Sequence, residues 1–424
     1  MLPLVLGLMH GFIDAASAAV LYSESLRDRL SCDGHWWLVV VYNALAFGLQ
    51  LPMGLLVDRL KMHRGAGGVG TALLLIAAAT CEHHAFLPGV LAGLGNALFH
   101  VGAGAIVLLG SCGRATAAGI FVAPGALGLT LGIWLGVAGF PHRWAMGLAL
   151  LAGGLFLAWL PATPCVPTCR AECGPLPNRA VLCVVLVVVV IALRSFSAAA
   201  LTSPWGEPAV WALVMTLCAV AGKAMGGFVG DQLGWRRVAV TATVLVTLLS
   251  WPAFENRWTA AAAMFLLQIS MTTTLAAILV VLPNHPGTAF GIASLALLIG
   301  AMPGLRGNVA PGDAPMLLLA ASCASAVALF IGLGFVARRS RRIESAGVPG
   351  MAAADAADAP PGAAHGAVLA HGADEIGAAG RLEAATAAHQ RAQKDLIQAD
   401  QPDQAPAGHA EHKANGPLCP PNHE

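Results

Sequence analysis

Apolar residues fall in long, nearly unbroken runs from Met1 to about Ala337, separated by short stretches that hold charges, Pro and Gly. A helix needs about 20 mostly apolar residues to cross a bilayer core. Reading the runs against that length gives twelve expected spans, near 2–22, 36–57, 66–81, 87–109, 115–138, 144–160, 180–200, 209–229, 238–254, 258–282, 287–304 and 315–337. The first Lys or Arg is Arg27, so the opening run is expected to stay as a span and not to be removed as a leader. Residues 343–424 change character: Ala, Gly and Pro rich, few large apolar residues, no span. A disordered tail is expected there, with six histidines that could bind metal only weakly.

Composition agrees with the pattern. With 57% hydrophobic and 11% charged residues, and a mean hydropathy of +0.72, the chain does not read as a water-soluble globule. A net charge of +1 creates no field that would draw nucleic acid, so none is expected as a partner. The ten cysteines form no framework. Cys81, Cys112, Cys183, Cys218 and Cys323 lie in or beside apolar runs, where Cys acts as a small hydrophobe. Cys165, Cys169 and Cys173 stand among Pro164, Pro167 and Pro175, which oppose a regular helix, so no metal site is expected there.

Lys and Arg in short loops set orientation. With the N-terminus inside, the inner loops hold twelve of them and the outer loops five, which places both ends in the cytoplasm. A bacterial inner (cytoplasmic) membrane is the expected location.

An internal repeat organises the chain. Gly54, Asp58 and Arg64 recur as Gly227, Asp231 and Arg237, each 173 residues on. Thr116-Ala-Ala-Gly119-Ile120 recurs as Thr288-Ala-Phe-Gly291-Ile292 at a 172-residue offset, which Gly128 to Gly300 and Gly132 to Gly304 share. Duplication implies two parallel six-helix halves with a substrate site at their interface near the bilayer midplane. The expected divisions are an N-terminal bundle over 1–160, a connector over 161–179, a C-terminal bundle over 180–342 and the tail.

These residues resemble the major facilitator superfamily, whose loop signature places a Gly four residues before an Asp and follows it with basic residues. Here it reads GLLVDRLKMHR and GFVGDQLGWRR. The second copy keeps Gly234 and the pair Arg236-Arg237, whereas the first has Lys61 where a Gly is usual. Within the superfamily, GLGNALFHVGAG and TAAGIFVAPGALGLTLG resemble the fosmidomycin-resistance branch of drug exporters. The resemblance implies an all-α polytopic fold of twelve transmembrane helices in two pseudo-symmetric bundles, with Asp58, Arg59 and Arg64 as charge-relay residues. A carboxylate at a helix end can pair with arginines or lie against a neighbouring helix N-terminus. By resemblance, Asp58 and Asp231 would latch the cytoplasmic side shut; otherwise they are topology-setting charges.

Polar groups within spans are costly in hydrocarbon and are functional candidates. His10, Asp14 and Ser17 share one helical face, and Asn96 and His100 stand one turn apart. A membrane carboxylate or histidine that changes protonation suits proton coupling; the alternative is a helix-packing hydrogen bond. Arg194, Lys223, Gln268 and Thr273, with its neighbours Thr272 and Thr274, supply cationic and hydrogen-bonding groups in the other half. Two cations facing one carboxylate suit an anionic or zwitterionic substrate, or they neutralise one another internally. No nucleotide-binding loop or hydrolytic constellation is present, so neither an enzyme, an ATP-driven pump nor a cofactor or metal is expected.

The reading is a secondary transporter, expected as a monomer in the lipid bilayer, that exports a small polar or anionic molecule against protons. Proton-coupled uptake of an organic anion, or a receptor or scaffold without transport, are the alternatives.

Overall fold

A computed structural model describes residues 1–111, 113–139, 143–159, 178–202, 209–305 and 312–345. The expected connector with its three cysteines, all but its last two residues, and the tail beyond Ser345 lie outside the described residues. All regular structure among those residues is helical.

The helices follow the apolar runs. They are α1 (Leu2–Leu21), α2 (Glu24–Arg29), α3 (Cys32–Asn43), α4 (Gln50–Leu60), α5 (His63–Thr80), α6 (Leu87–Gly110), α7 (Ala115–Val137) and α8 (Arg143–Trp159). Then come α9 (Asn178–Thr202), α10 (Ala209–Leu233), α11 (Trp235–Leu249), α12 (Pro252–Glu255), α13 (Arg257–Val281), α14 (Pro286–Leu305) and α15 (Ala314–Ser345). Starts are marked by local chemistry. Pro88 sits in the first turn of α6, where its missing N–H costs nothing. Ser31 Oγ accepts from Gly34 N at 3.1 Å to begin α3, and Asn256 Oδ1 accepts from Trp258 N at 2.8 Å to begin α13.

Each of the twelve expected spans falls on helix. Nine helical stretches among the described residues are long and apolar enough to cross a membrane. The stretches α5, α8 and α11 are not among the nine: α8 and α11 run to 17 and 15 residues, and the 18 residues of α5 open on the polar pair His63-Arg64 and carry four Gly. The expected span at 36–57 is longer and interrupted. It runs from α3 into α4 through a π-turn at Ala44–Gly48, where Leu49 N bonds back to Ala44 O at 3.2 Å. One residue is inserted without breaking the helix. The expected span at 238–254 ends earlier, at Leu249, and a separate turn, α12, follows.

Polarity is turned inside out relative to a soluble protein. Leu155, Val210, Leu248 and Phe330 are exposed on the outer surface, while His10, Gln50, Asn96, His100 and Arg194 are buried. That arrangement suits hydrocarbon outside and polar groups satisfied within.

Packing repeats the sequence symmetry. In the first half α1 lies along α7, and in the second α9 lies along α14. A Cβ on Gly128 would strike Gly11 of α1, and one on Gly300 would strike Ala192 of α9. Small residues therefore let the equivalent helix pairs approach to backbone contact. Across the halves, α7 packs on α10 and α4 on α14. Gly227 meets Ala115 and Thr116, and Gly54 meets Gly287 and Thr288, again with no room for a side chain.

Candidate functional site

The motif carboxylates sit where these cross-half pairs meet. Asp58, near the end of α4, accepts from Gly287 N at 2.9 Å, Thr288 N at 2.7 Å and Thr288 Oγ1 at 2.8 Å. Asp231, near the end of α10, accepts from Ala115 N at 2.9 Å, Thr116 N at 2.8 Å and Thr116 Oγ1 at 2.5 Å. Each carboxylate thus takes up the free N–H groups that open a helix of the opposite half, where the helix dipole also favours negative charge. Of the two partners open to them from sequence, the helix N-terminus is the one engaged.

Local partners finish each carboxylate. His63 Nε2 lies 3.1 Å from Asp58 Oδ1, and Trp235 Nε1 donates to Asp231 Oδ1 at 2.8 Å. Among the basic residues of the motif, Arg59 is exposed, and the Arg236 guanidinium stacks on Phe330 at 4.6 Å from the ring centre. Arg64 is partly buried at the start of α5, and Arg237 lines a surface groove with Val238 and Leu245. His63, Trp235 and the two threonine hydroxyls were not singled out from the sequence as partners. Thr116 and Thr288 had a visible signal, since they lead the second repeated segment.

Further along the same interface, Gln50 is fully buried. Its Nε2 donates to Ala46 O at 2.6 Å inside the π-turn, and its Oε1 accepts from Ser294 of α14 at 2.5 Å. On the symmetric side Thr130 of α7 and Thr216 of α10 hydrogen-bond at 2.8 Å.

A second cluster joins α1 and α6. His10 Nε2 stands 2.7 Å from His100 Nε2 and 3.1 Å from Asp14 Oδ2, with His100 Nε2 3.5 Å from Asp14 Oδ1. Asn96 Nδ2 donates to Asp14 Oδ1 at 2.9 Å and lies 3.4 Å from Ser17 Oγ. All four candidates on these helices therefore meet: the one-turn spacings put each pair on one helical face, and the packing of α1 on α6 joins the two pairs. Gly125 of α7 makes the closeness possible: a Cβ there would run into His10 and Asp14. Rings of Phe99, Phe121 and Phe290 wall the histidines, at 6.0 Å from His100, 4.8 Å from His10 and 6.1 Å from His100 respectively.

Two nitrogens and a carboxylate within 4.8 Å of one another have the donor set of a metal site. The spacing does not fit one as it stands. Nitrogens about 2.0–2.1 Å from a tetrahedral ion lie roughly 3.3 Å apart, whereas 2.7 Å is the length of a charge-assisted hydrogen bond.

The second half contributes cations. Arg194 of α9 is buried, and its Nη1 has no hydrogen-bond partner among the described residues. Lys223 of α10 is half-buried and lies near Arg194 and, across the halves, near Asp14. Among the described residues Gln268 of α13 reaches only the Met264 sulfur, at 3.7 Å. Thr273 bonds back to Ser270 O at 3.0 Å and lies beside Gly230 of α10. Thr272 Oγ1 is buried without a partner among the described residues.

No family model matches the sequence, and no curated protein matches it. Solved structures do. A major facilitator superfamily transporter, FucP, in the outward conformation aligns with a TM-score of 0.57 at 11% identity, over 78% of this chain and 97% of that one. The E. coli fucose:proton symporter FucP aligns at 0.56 and 12% identity, over 78% of this chain and 97% of that one. The human organic anion transporter MFSD10 (TETRAN) aligns at 0.56 and 17% identity, over 78% of this chain and 99% of its own. The chain is similar to these proteins in fold, over nearly the whole length of each of them, and its described helices have the major facilitator fold.

Proposed function

We propose that the protein is a secondary active transporter working by alternating access, with protons as the coupling ion and a small anionic or polar compound as cargo. The observation that carries this reading is the charge placement across the interface of the halves. A carboxylate and two histidines lie on one side, and a buried Arg194 with an unpartnered Nη1 and Lys223 lie on the other. A buried cation costs several kcal/mol unless something compensates it. An anionic cargo held bidentately by the guanidinium supplies that compensation during part of the cycle. A receptor or scaffold has no use for such a group.

The fold supports the reading, and its solved neighbours are described as a fucose:proton symporter and an organic anion transporter. Export is the direction favoured, by resemblance to the fosmidomycin-resistance branch. The Asp58 and Asp231 links then close the cytoplasmic end, which also holds both termini in a bacterial inner membrane, and release as the halves rock.

A thermal-stabilisation screen of the purified protein against phosphonates, organic acids and sugars tests the cargo. An anion is expected to raise the melting temperature of the wild type and not of Arg194→Gln. Stabilisation by neutral sugars alone, or equal stabilisation of the variant, sinks the anion reading.

A further inference from the structure

His10 and His100 each have one ring nitrogen already committed. His10 Nδ1 lies 2.8 Å from the carbonyl oxygen of Phe121, and His100 Nδ1 lies 2.8 Å from the carbonyl oxygen of Asn96. A carbonyl only accepts, so both Nδ1 atoms carry hydrogen. In a neutral imidazole the other nitrogen is then a bare lone pair. Two neutral rings would thus point two lone pairs at one another across 2.7 Å, with the Asp14 carboxylate alongside. Nothing in that arrangement donates. One added proton converts it into an N–H⁺···N hydrogen bond of ordinary charge-assisted length, with Asp14 as its counter-charge.

We infer that His10 and His100 hold a single proton between their Nε2 atoms, and that this shared proton is the coupling ion of the transport cycle. The inference rests on the proton-coupled reading above and names its site as the histidine pair, with Asp14 as the relay. The surroundings fit. Three aromatic rings stand against the pair, whose side chains are almost wholly buried. Asp14 is the more accessible member, with 18% of its side chain exposed against 7% for each histidine. The proton leaves Nε2 for an Asp14 oxygen, restoring the nitrogen lone pair. The carboxylic acid so formed passes it to water and becomes carboxylate again. Among the described residues, the other titratable groups near the cluster are Tyr42 of α3, close to Asp14 and Ser17, and Lys223 of α10, close to Asp14 and to Arg194 of α9. No charged side chain of α7 or α14 contacts it.

Phe290 gives the pair a connection to the latch. It stands two residues beyond Thr288 on α14, the helix whose start Asp58 holds, and its ring covers His100 from the opposite half. Release of that helix uncovers the proton.

The full chain, labelled with 15N-histidine, stripped with chelator and placed in lipid nanodiscs, tests this by NMR. Both Nδ1 atoms are expected to be protonated, with one low-field proton coupled to both Nε2 atoms. That signal should vanish in His10→Gln and in His100→Gln alike. If a variant does not fold, the wild-type coupling decides alone, because it joins two nitrogens directly. Two neutral rings without a shared proton, or an unprotonated Nδ1 on either, overturn the inference. So does stoichiometric metal in unstripped protein that recovers a site when returned. Exchange of the proton with solvent should speed up in Phe290→Ala, and unchanged exchange removes the seal. Uptake into proteoliposomes separates the two claims. Gradient-driven uptake without the shared proton overturns the site and leaves proton coupling standing; the shared proton without gradient dependence overturns its role in coupling.

Discussion

Lys61 and Gly234 occupy equivalent positions 173 residues apart, and both adopt positive φ, +54° and +92°. The turn after the motif Asp therefore passes through positive φ in both halves but with different shapes, left-handed helical at Lys61 with ψ 32° and more open at Gly234 with ψ 128°, and only the second copy has glycine there. A side chain in the left-handed region costs roughly 1–2 kcal/mol, partly offset by the extra freedom glycine loses on folding. Lys61→Gly is expected to stabilise the protein by about 0.5–1 kcal/mol, read as a higher melting temperature in detergent. A lower one would mean that the exposed Lys61 side chain holds something the backbone argument overlooks. At this scale the sequence was informative about spacing and poor on partners. The intervals His10 to Asp14 and Asn96 to His100 put each pair on one face, and the pairs meet. Asp58 could have faced arginine or a helix end, and only packing of α4 on α14 decides it. His63 became its partner because the positive-φ turn at Lys61 brings the first residue of α5 back to the end of α4, a geometry that no local pattern announces.

Between elements, the two carboxylate links proposed as latches are equivalent by symmetry and opposite in direction, each half supplying one carboxylate and one helix start. A carboxylate at a helix N-terminus contributes about 0.3–1 kcal/mol, and up to about 2 where it is partly buried. Asp58→Asn and Asp231→Asn each keep one acceptor and lose the charge. Each is expected to slow turnover several-fold without harming membrane insertion, and to raise cysteine-reagent access to residues placed beside Thr116 or Thr288. Because both act on one equilibrium, the free-energy effects should add in the double variant. Unchanged turnover and access in both would return these residues to the role of topology-setting charges. The repeat was legible because its two offsets, 173 and 172 residues, run through the glycines that the interfaces need. The π-turn was not legible. Pro52 hints at a disturbed helix, but the extra residue lies a turn and more upstream and is fixed by Gln50 reaching both Ala46 and Ser294.

For the whole molecule, the apolar runs and the duplication carried the fold, since a bilayer leaves helices as the economical way to satisfy a backbone and duplication fixes how many meet. The charge distribution across the interface of the halves could be listed from sequence but not joined, because the four cluster residues sit on two helices and their counter-charges on two others. That joining makes Asp14→Asn the sharpest test of the proposed cycle. An asparagine at this position still accepts from Asn96 and can donate to the His10 Nε2 lone pair, so it supplies a donor where two neutral rings have none, while the His100 Nε2 lone pair keeps none. What disappears is the negative charge that balances the shared proton and faces Lys223. Gradient-driven transport is expected to fall at least about tenfold, equivalent to about 1.4 kcal/mol. Exchange of cargo without a gradient should persist, since a permanently neutral cluster still permits the halves to rock. The melting temperature and monodispersity should stay near wild type. If the variant instead fails to give monodisperse protein, Asp14 is chiefly the structural counter-charge of Lys223, whose stranding would cost about 3–5 kcal/mol. If it transports normally under a pH gradient, the cluster is a packing contact between α1 and α6, and the coupling ion binds elsewhere.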